Sequence, residues 1–151
     1  MILKSKKERS RFFRFLIVGT IGAVVDFGIF NLLTNLTPIN AVIASMISFT
    51  AAVISNFLWN RYWTYPDSRT KRVSHQLVQF FVINLIGLAI RTPLFAFLEP
   101  RMIGLAEKYA SQAPLSTITI GHNISLAIAV GVVLLWNFFE NRFWTYSDVS
   151  S

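Results

Sequence analysis

Four apolar stretches dominate this chain, and each is about as long as a helix must be to cross a bilayer. They lie at residues 12–33, 39–59, 77–98 and 118–139. A helix rises 1.5 Å per residue, so about 20 residues span a hydrocarbon core of about 30 Å. The first stretch holds only Arg14, near its start, and Asp26 as ionisable groups. The second holds none, the third holds Arg91, and the fourth holds only His122 near its start. The predicted fold is an all-α integral membrane protein with four transmembrane helices. Composition agrees: 54% of residues are hydrophobic and 14% charged, against about 45–50% and about 25% in soluble domains. The length of 151 residues suits one domain but cannot build a soluble core large enough to absorb that excess.

The absence of cysteine excludes disulfides and thiolate metal sites. The formal charge of +7 raises nucleic-acid binding as a class, but its placement argues for membrane topology instead. Lys4, Lys6, Lys7, Arg9, Arg11 and Arg14 precede or open the first span. Arg61, Arg69, Lys71 and Arg72 lie between the second and third spans, and Arg142 follows the fourth. The other two connections hold only Arg101 and Lys108. Eleven basic residues against two make the first side cytoplasmic by the positive-inside rule. Both termini then lie in the cytoplasm. The first apolar run is too long for a secretory signal and lacks a small-residue cleavage pattern, so it is expected to be retained. The connection at 99–117 mixes Met102, Ile103, Leu105, Ala106 and Tyr109 with charges. It is predicted to form a short helix on the outer surface.

A repeat runs through the chain. Residues 56–65 read NFLWNRYWTY and residues 137–146 read NFFENRFWTY. Seven of ten positions are identical, and the odd pair is Trp59 against Glu140. The first helices of the two halves align at an offset of 65, which matches Phe15 with Phe80, Gly22 with Gly87 and Asp26 with Arg91. Each half goes out and comes back. The expectation is two duplicated helical hairpins in parallel orientation, related by a pseudo-two-fold axis along the membrane normal. The small-residue pairs Gly19/Ala23, Ala44/Ser48, Ala51/Ser55 and Ala127/Gly131 are expected to serve helix packing.

The repeated NFxxNRxWTY, the opening helix RFLIVGTIGAVVD and the four spans together resemble the GtrA family. They are also similar to the membrane domain appended to some polyprenol-phosphate glycosyltransferases. The resemblance covers residues 14–146; Glu140 and the long outer connection depart from the pattern. It implies a role in cell-surface polysaccharide synthesis, such as lipopolysaccharide glucosylation or teichoic acid modification. It implies translocation of a polyprenyl-phosphate-linked sugar, with a membrane-associated glycosyltransferase as partner.

Asp26 and Arg91 are the leading site candidates. Each sits about midway along its span, where an unpaired charge costs about 2.5–3.5 kcal/mol on insertion scales. Gly19, Gly22 and Asp26 share a helix face, and Asn84, Gly87 and Arg91 repeat that spacing. In one reading Arg91 meets the lipid phosphate, while Asp26 meets sugar hydroxyls or Arg91. In the other, a buried ion pair locks the halves, neutral in net energy but costly to break.

The NFxxNR copies supply the remaining candidates. Asn56 and Asn60 share one face, as do Asn137 and Asn141, with Arg61 and Arg142 following at the cytoplasmic ends. A guanidinium suits phosphate through its planar fork, and amides both donate and accept. Interhelical hydrogen bonding is the rival role for these residues. Trp63, Tyr65, Trp144 and Tyr146 read as an interfacial aromatic belt, and Arg14 as a topology anchor. His75 and His122 lack a neighbouring metal ligand and read as surface or interfacial histidines.

No catalytic motif, glycine-rich phosphate loop or ATP site is visible, so no enzyme activity and no cofactor are expected. Three functions compete: a translocase, a non-catalytic anchor for a glycosyltransferase, and a small proton-coupled exporter. The skewed loop charge argues against the last, because dual-topology exporters need balanced loops. A homo-oligomer stays open, since four helices enclose little volume.

Overall fold

The computed structural model describes residues 6–64 and 72–140. The described residues are helical and contain no strand. The elements are α1 (Lys6–Leu36), α2 (Ala41–Trp59), a π-helical turn (Asn60–Thr64), α3 (Val73–Tyr109) and α4 (Thr117–Glu140). Four segments are long and apolar enough to cross a membrane: Phe13–Leu36, Ala41–Thr64, Phe80–Tyr109 and Thr117–Trp136. The all-α architecture read from the sequence is the one the chain adopts.

Two helices run further than the apolar pattern alone predicts. The 31 residues of α1 rise about 46 Å, well beyond a hydrocarbon core of about 30 Å, and its first turns carry Lys6 and Arg9. The second is α3. Residues 99–109 do not form a separate surface helix; they are the last turns of α3. Pro93 and Pro100 lie inside this helix, each removing one backbone donor. Membrane helices tolerate such breaks. Beyond Pro100, Arg101 folds back along the helix. Its Nη1 donates to the Phe97 carbonyl at 2.7 Å, and its guanidinium carbon lies 3.6 Å from the Phe97 ring centroid.

The chain divides into two compact units, Met1–Asn84 and Leu85–Ser151. In the first, α1 and α2 form an antiparallel hairpin joined by residues 37–40. Thr37 N–H donates to the Leu33 carbonyl at 3.1 Å. The Asn40 side chain caps α2 by accepting from Val42 N–H at 2.8 Å. Lipid gives no hydrophobic drive between helices, so association needs close backbone approach. The buried face of α2 is built for that: Ala41, Ala44, Ser45, Ser48, Phe49 and Ala52. Val18, Gly22, Asp26 and Phe30, at four-residue spacing, are the matching buried stripe on α1. The start of α3 adds a ring contact, Phe57 to Phe80, with centroids 4.9 Å apart.

In the second unit α4 returns along the end of α3. The Ser116 hydroxyl caps α4, accepting from Thr119 N–H at 3.1 Å. At Gly121 the helices nearly touch: a Cβ there would lie 2.6 Å from the Ile103 backbone nitrogen. Ala106, Leu126, Ala129 and Val133 are buried nearby in sequence. Gly22 and Gly121 both sit at close approaches. Gly19 and Gly131, read from sequence as packing positions, have open space around them. Large apolar side chains such as Leu32, Ile54, Phe81 and Leu134 point outward, as lipid-facing residues do.

Candidate functional site

Asp26 is 4% exposed. It is held there by α2, where the Ser48 hydroxyl donates to Asp26 Oδ1 at 2.7 Å. Ser48 is fully buried and Ser45 almost so, and the Ser45 carbonyl lies 3.1 Å from the same hydroxyl. A carboxylate in lipid needs donors, and a serine one helix away supplies one. Ser48 carries no signal of its own in sequence. Only its place on the small-residue face of α2 hints that it could meet the acid.

One turn toward the N-terminus of α1, Gly22 makes room for Asn56. A Cβ at Gly22 would lie 2.8 Å from the Asn56 amide carbon, so the bare glycine lets the amide lie against α1. Asn60 follows on the same side of α2 and opens the π-helical turn. Such turns are rare and often mark functional segments. Here the turn falls on NRYWT, the heart of the repeated motif. Arg61 is part-buried within it, and Thr64 at its end is 1% exposed.

Arg14 closes this end of the hairpin. Its Nη1 donates to the Trp63 carbonyl at 2.9 Å, and its guanidinium carbon sits 5.5 Å from the Trp63 ring centroid. The Trp63 ring also meets the Trp59 ring edge-on, 6.2 Å between centroids. Arg14 therefore does more than the topology anchor expected of it, and Trp63 more than belong to an aromatic belt. Asn84 binds within its own helix, donating through Nδ2 to the Phe80 carbonyl at 2.6 Å.

In the second unit Arg91 is 1% exposed, with Phe95 fully buried one turn on. Thr92 beside it keeps its hydroxyl oxygen buried without a partner. At the far end of α3, Glu99 meets His122 of α4, Oε1 to Nε2 at 3.0 Å, with side chains 23% and 13% exposed. His122 is thus a partnered, largely buried group rather than a plain surface histidine. The side chains of Asn137 and His75, and all of Tyr65, Asn141, Arg142, Trp144 and Tyr146, lie outside the described residues.

Asp26 and Arg91 are thus buried ionisable groups within apolar helices, and a polar motif lies at the end of α2. Comparison with known proteins narrows the class. Residues 14–146 match the family described as GtrA/DPMS, transmembrane domain. The chain belongs to this family. It is 30% identical over 136 residues to a Bacillus subtilis (strain 168) protein described as an uncharacterized membrane protein, YngA. That match covers 89% of this chain and 78% of the relative. It is 32% identical over 89 residues to a dolichol-phosphate mannosyltransferase of Pyrococcus furiosus, covering 59% of this chain but 25% of that enzyme. No solved structure is a significant match. This member of the GtrA/DPMS family is a multi-pass membrane protein, and the family is tied to polyprenol-phosphate sugar metabolism.

Proposed function

We propose that this protein translocates polyprenyl-phosphate-linked sugars across the cytoplasmic membrane for glycosylation of cell-surface polysaccharide, without itself being an enzyme. The observation that carries the reading is the burial of Asp26 and Arg91, 4% and 1% exposed, within apolar spans. Maintaining two charges in lipid is expensive, and intramembrane ionisable groups usually mark solute paths. In this reading Arg91 takes the phosphate and Asp26 the head-group hydroxyls, with Asn84 on the Arg91 face. Asn56, Asn60 and Arg61, and in the second copy Asn137, Asn141 and Arg142, frame the entry. In this reading both copies of the motif lie on the cytoplasmic side, as the excess of basic residues in the flanking segments favours. In this reading the polar head group crosses while the polyprenyl tail stays in lipid, by a passive or exchange mechanism.

Reconstitution in proteoliposomes with defined polyprenyl-phosphate sugars tests this reading. Wild type should move the lipid, whereas Asp26→Asn and Arg91→Ala, at equal protein level, should reduce transfer at least ten-fold. Equal transfer by both variants would sink the assignment of these residues.

A second reading has its own support, the match to part of a dolichol-phosphate mannosyltransferase. There the protein is a membrane anchor that recruits or orients a glycosyltransferase. Movement of lipid-linked sugar by the purified protein alone would exclude a pure anchor.

A further inference from the structure

Three oxygens on α2 and its π turn are buried without a hydrogen-bond partner: Asn56 Oδ1, Asn60 Oδ1 and Thr64 Oγ1. They stand four residues apart. In an α-helix of about 3.6 residues per turn, that step overshoots a full turn, and the positions drift around the axis. The π-helical turn from Asn60 to Thr64 winds more loosely and reduces the drift. The three oxygens therefore keep to one side of the element. The α1 helix packs directly on this element, with Gly22 against the Asn56 amide oxygen and Arg14 on the Trp63 carbonyl.

A buried acceptor without a donor is costly, most of all where lipid excludes water. Three in file point to an occupant that donates. A phosphate suits the file less well, because the two amide oxygens cannot donate to it and of the three oxygens only the Thr64 hydroxyl can. A single metal ion does not bridge the rungs either. The file offers single neutral oxygens at successive levels, whereas Ca²⁺ gathers about 6–8 oxygen ligands around one point. A sugar fits: its hydroxyls project from opposite edges of the ring and can donate to neighbouring rungs in turn.

We infer that Asn56, Asn60 and Thr64 form a track that accepts hydrogen bonds from the hydroxyls of a sugar head group. The inference rests on the proposed function for the lipid-linked nature of the sugar, and it assigns these amides to the sugar rather than to the phosphate. It adds Thr64, which the sequence motif alone does not single out.

The test is calorimetric titration of the purified full chain in detergent. The probes are short-chain isoprenyl phosphates bearing glucose, mannose or galactose, beside the bare isoprenyl phosphate. Wild type should bind at least one glycosylated probe more tightly than the bare one. Thr64→Val, which keeps the shape, and Asn60→Leu should each weaken that binding about five- to ten-fold and leave the bare probe unchanged. Thr64→Ser should bind as wild type does. Melting curves identify which variants fold, and either of the first two suffices. Unchanged affinity for the glycosylated probe would mean that the file holds only water. Equal loss for both probes would mean a packing role. Either result overturns the track, as does wild-type binding without preference for the sugar. If selective binding is found but no lipid crosses vesicles, the translocase reading falls and the track stands.

Discussion

Arg14 and Trp63, 49 residues apart in the chain, join the start of α1 to the end of the π turn through a 2.9 Å hydrogen bond from Nη1 to the carbonyl. The last carbonyls of a helix lack intrahelical donors, and a cation is favoured at that end. A topology anchor needs charge alone, whereas this contact also uses the planar fork over an indole. Arg14→Lys should keep the insertion orientation and lower stability by about 1–2 kcal/mol. Unfolding of the purified variant in mixed micelles measures this. A stability equal to wild type would reduce Arg14 to a bare charge.

Gly22 and Asn56 should behave as a size-matched pair. Gly22→Ala forces the Asn56 amide to move, and overpacking of this kind costs about 1–3 kcal/mol. Asn56→Ala in the same chain should recover most of that loss. A double-mutant cycle with no coupling between the two would show that the hairpin adjusts elsewhere.

Gly121 is the less forgiving glycine, because the atoms that a Cβ would meet include the Ile103 backbone. Side chains can swing aside; a helix backbone must shift as a body. Gly121→Ala should destabilise more than Gly22→Ala. Gly104→Ala, with nothing within 4 Å, should be neutral or gain up to about 1 kcal/mol from helix propensity. The ranking is read from melting temperatures of the three variants, and equal shifts would contradict it.

Ser48→Ala removes a donor from Asp26 without changing the size of the helix face. The carboxylate then loses a hydrogen bond in a buried setting, at about 1–3 kcal/mol. Ser48→Thr, which keeps the hydroxyl, should lose less than the alanine variant. Chemical denaturation of both variants decides between a working hydrogen bond and mere proximity.

The absence of cysteine makes topology directly readable. Thr37→Cys and Ser111→Cys should react with a membrane-impermeant maleimide added outside intact cells. Ser68→Cys should react only after permeabilisation. The reverse pattern would invert the orientation deduced from loop charge.

Four crossings were legible in the residues because lipid imposes one simple demand, a helix of about 20 apolar residues. That demand is local, so sequence meets or fails it segment by segment. Asp26 and Arg91 stood out for the same reason, as charges where none is cheap. The continuation of α3 through residues 99–109 was not legible. Charges and Pro100 resemble the end of a span, yet nothing prevents the backbone ladder from resuming beyond one missing donor.

What the sequence by itself determined is which segments enter the membrane, where the charges interrupt them, and the repeated motif. Tertiary structure alone decided who meets whom. Ser48 reaches Asp26, Asn56 lies on Gly22, Arg14 closes on Trp63, and Glu99 finds His122. These pairings depend on the rotation and depth at which each helix meets its neighbour. Side-chain bulk at each contact, as where bare Gly22 receives the Asn56 amide, bears on that register. No single residue encodes it, because a register belongs to two helices at once.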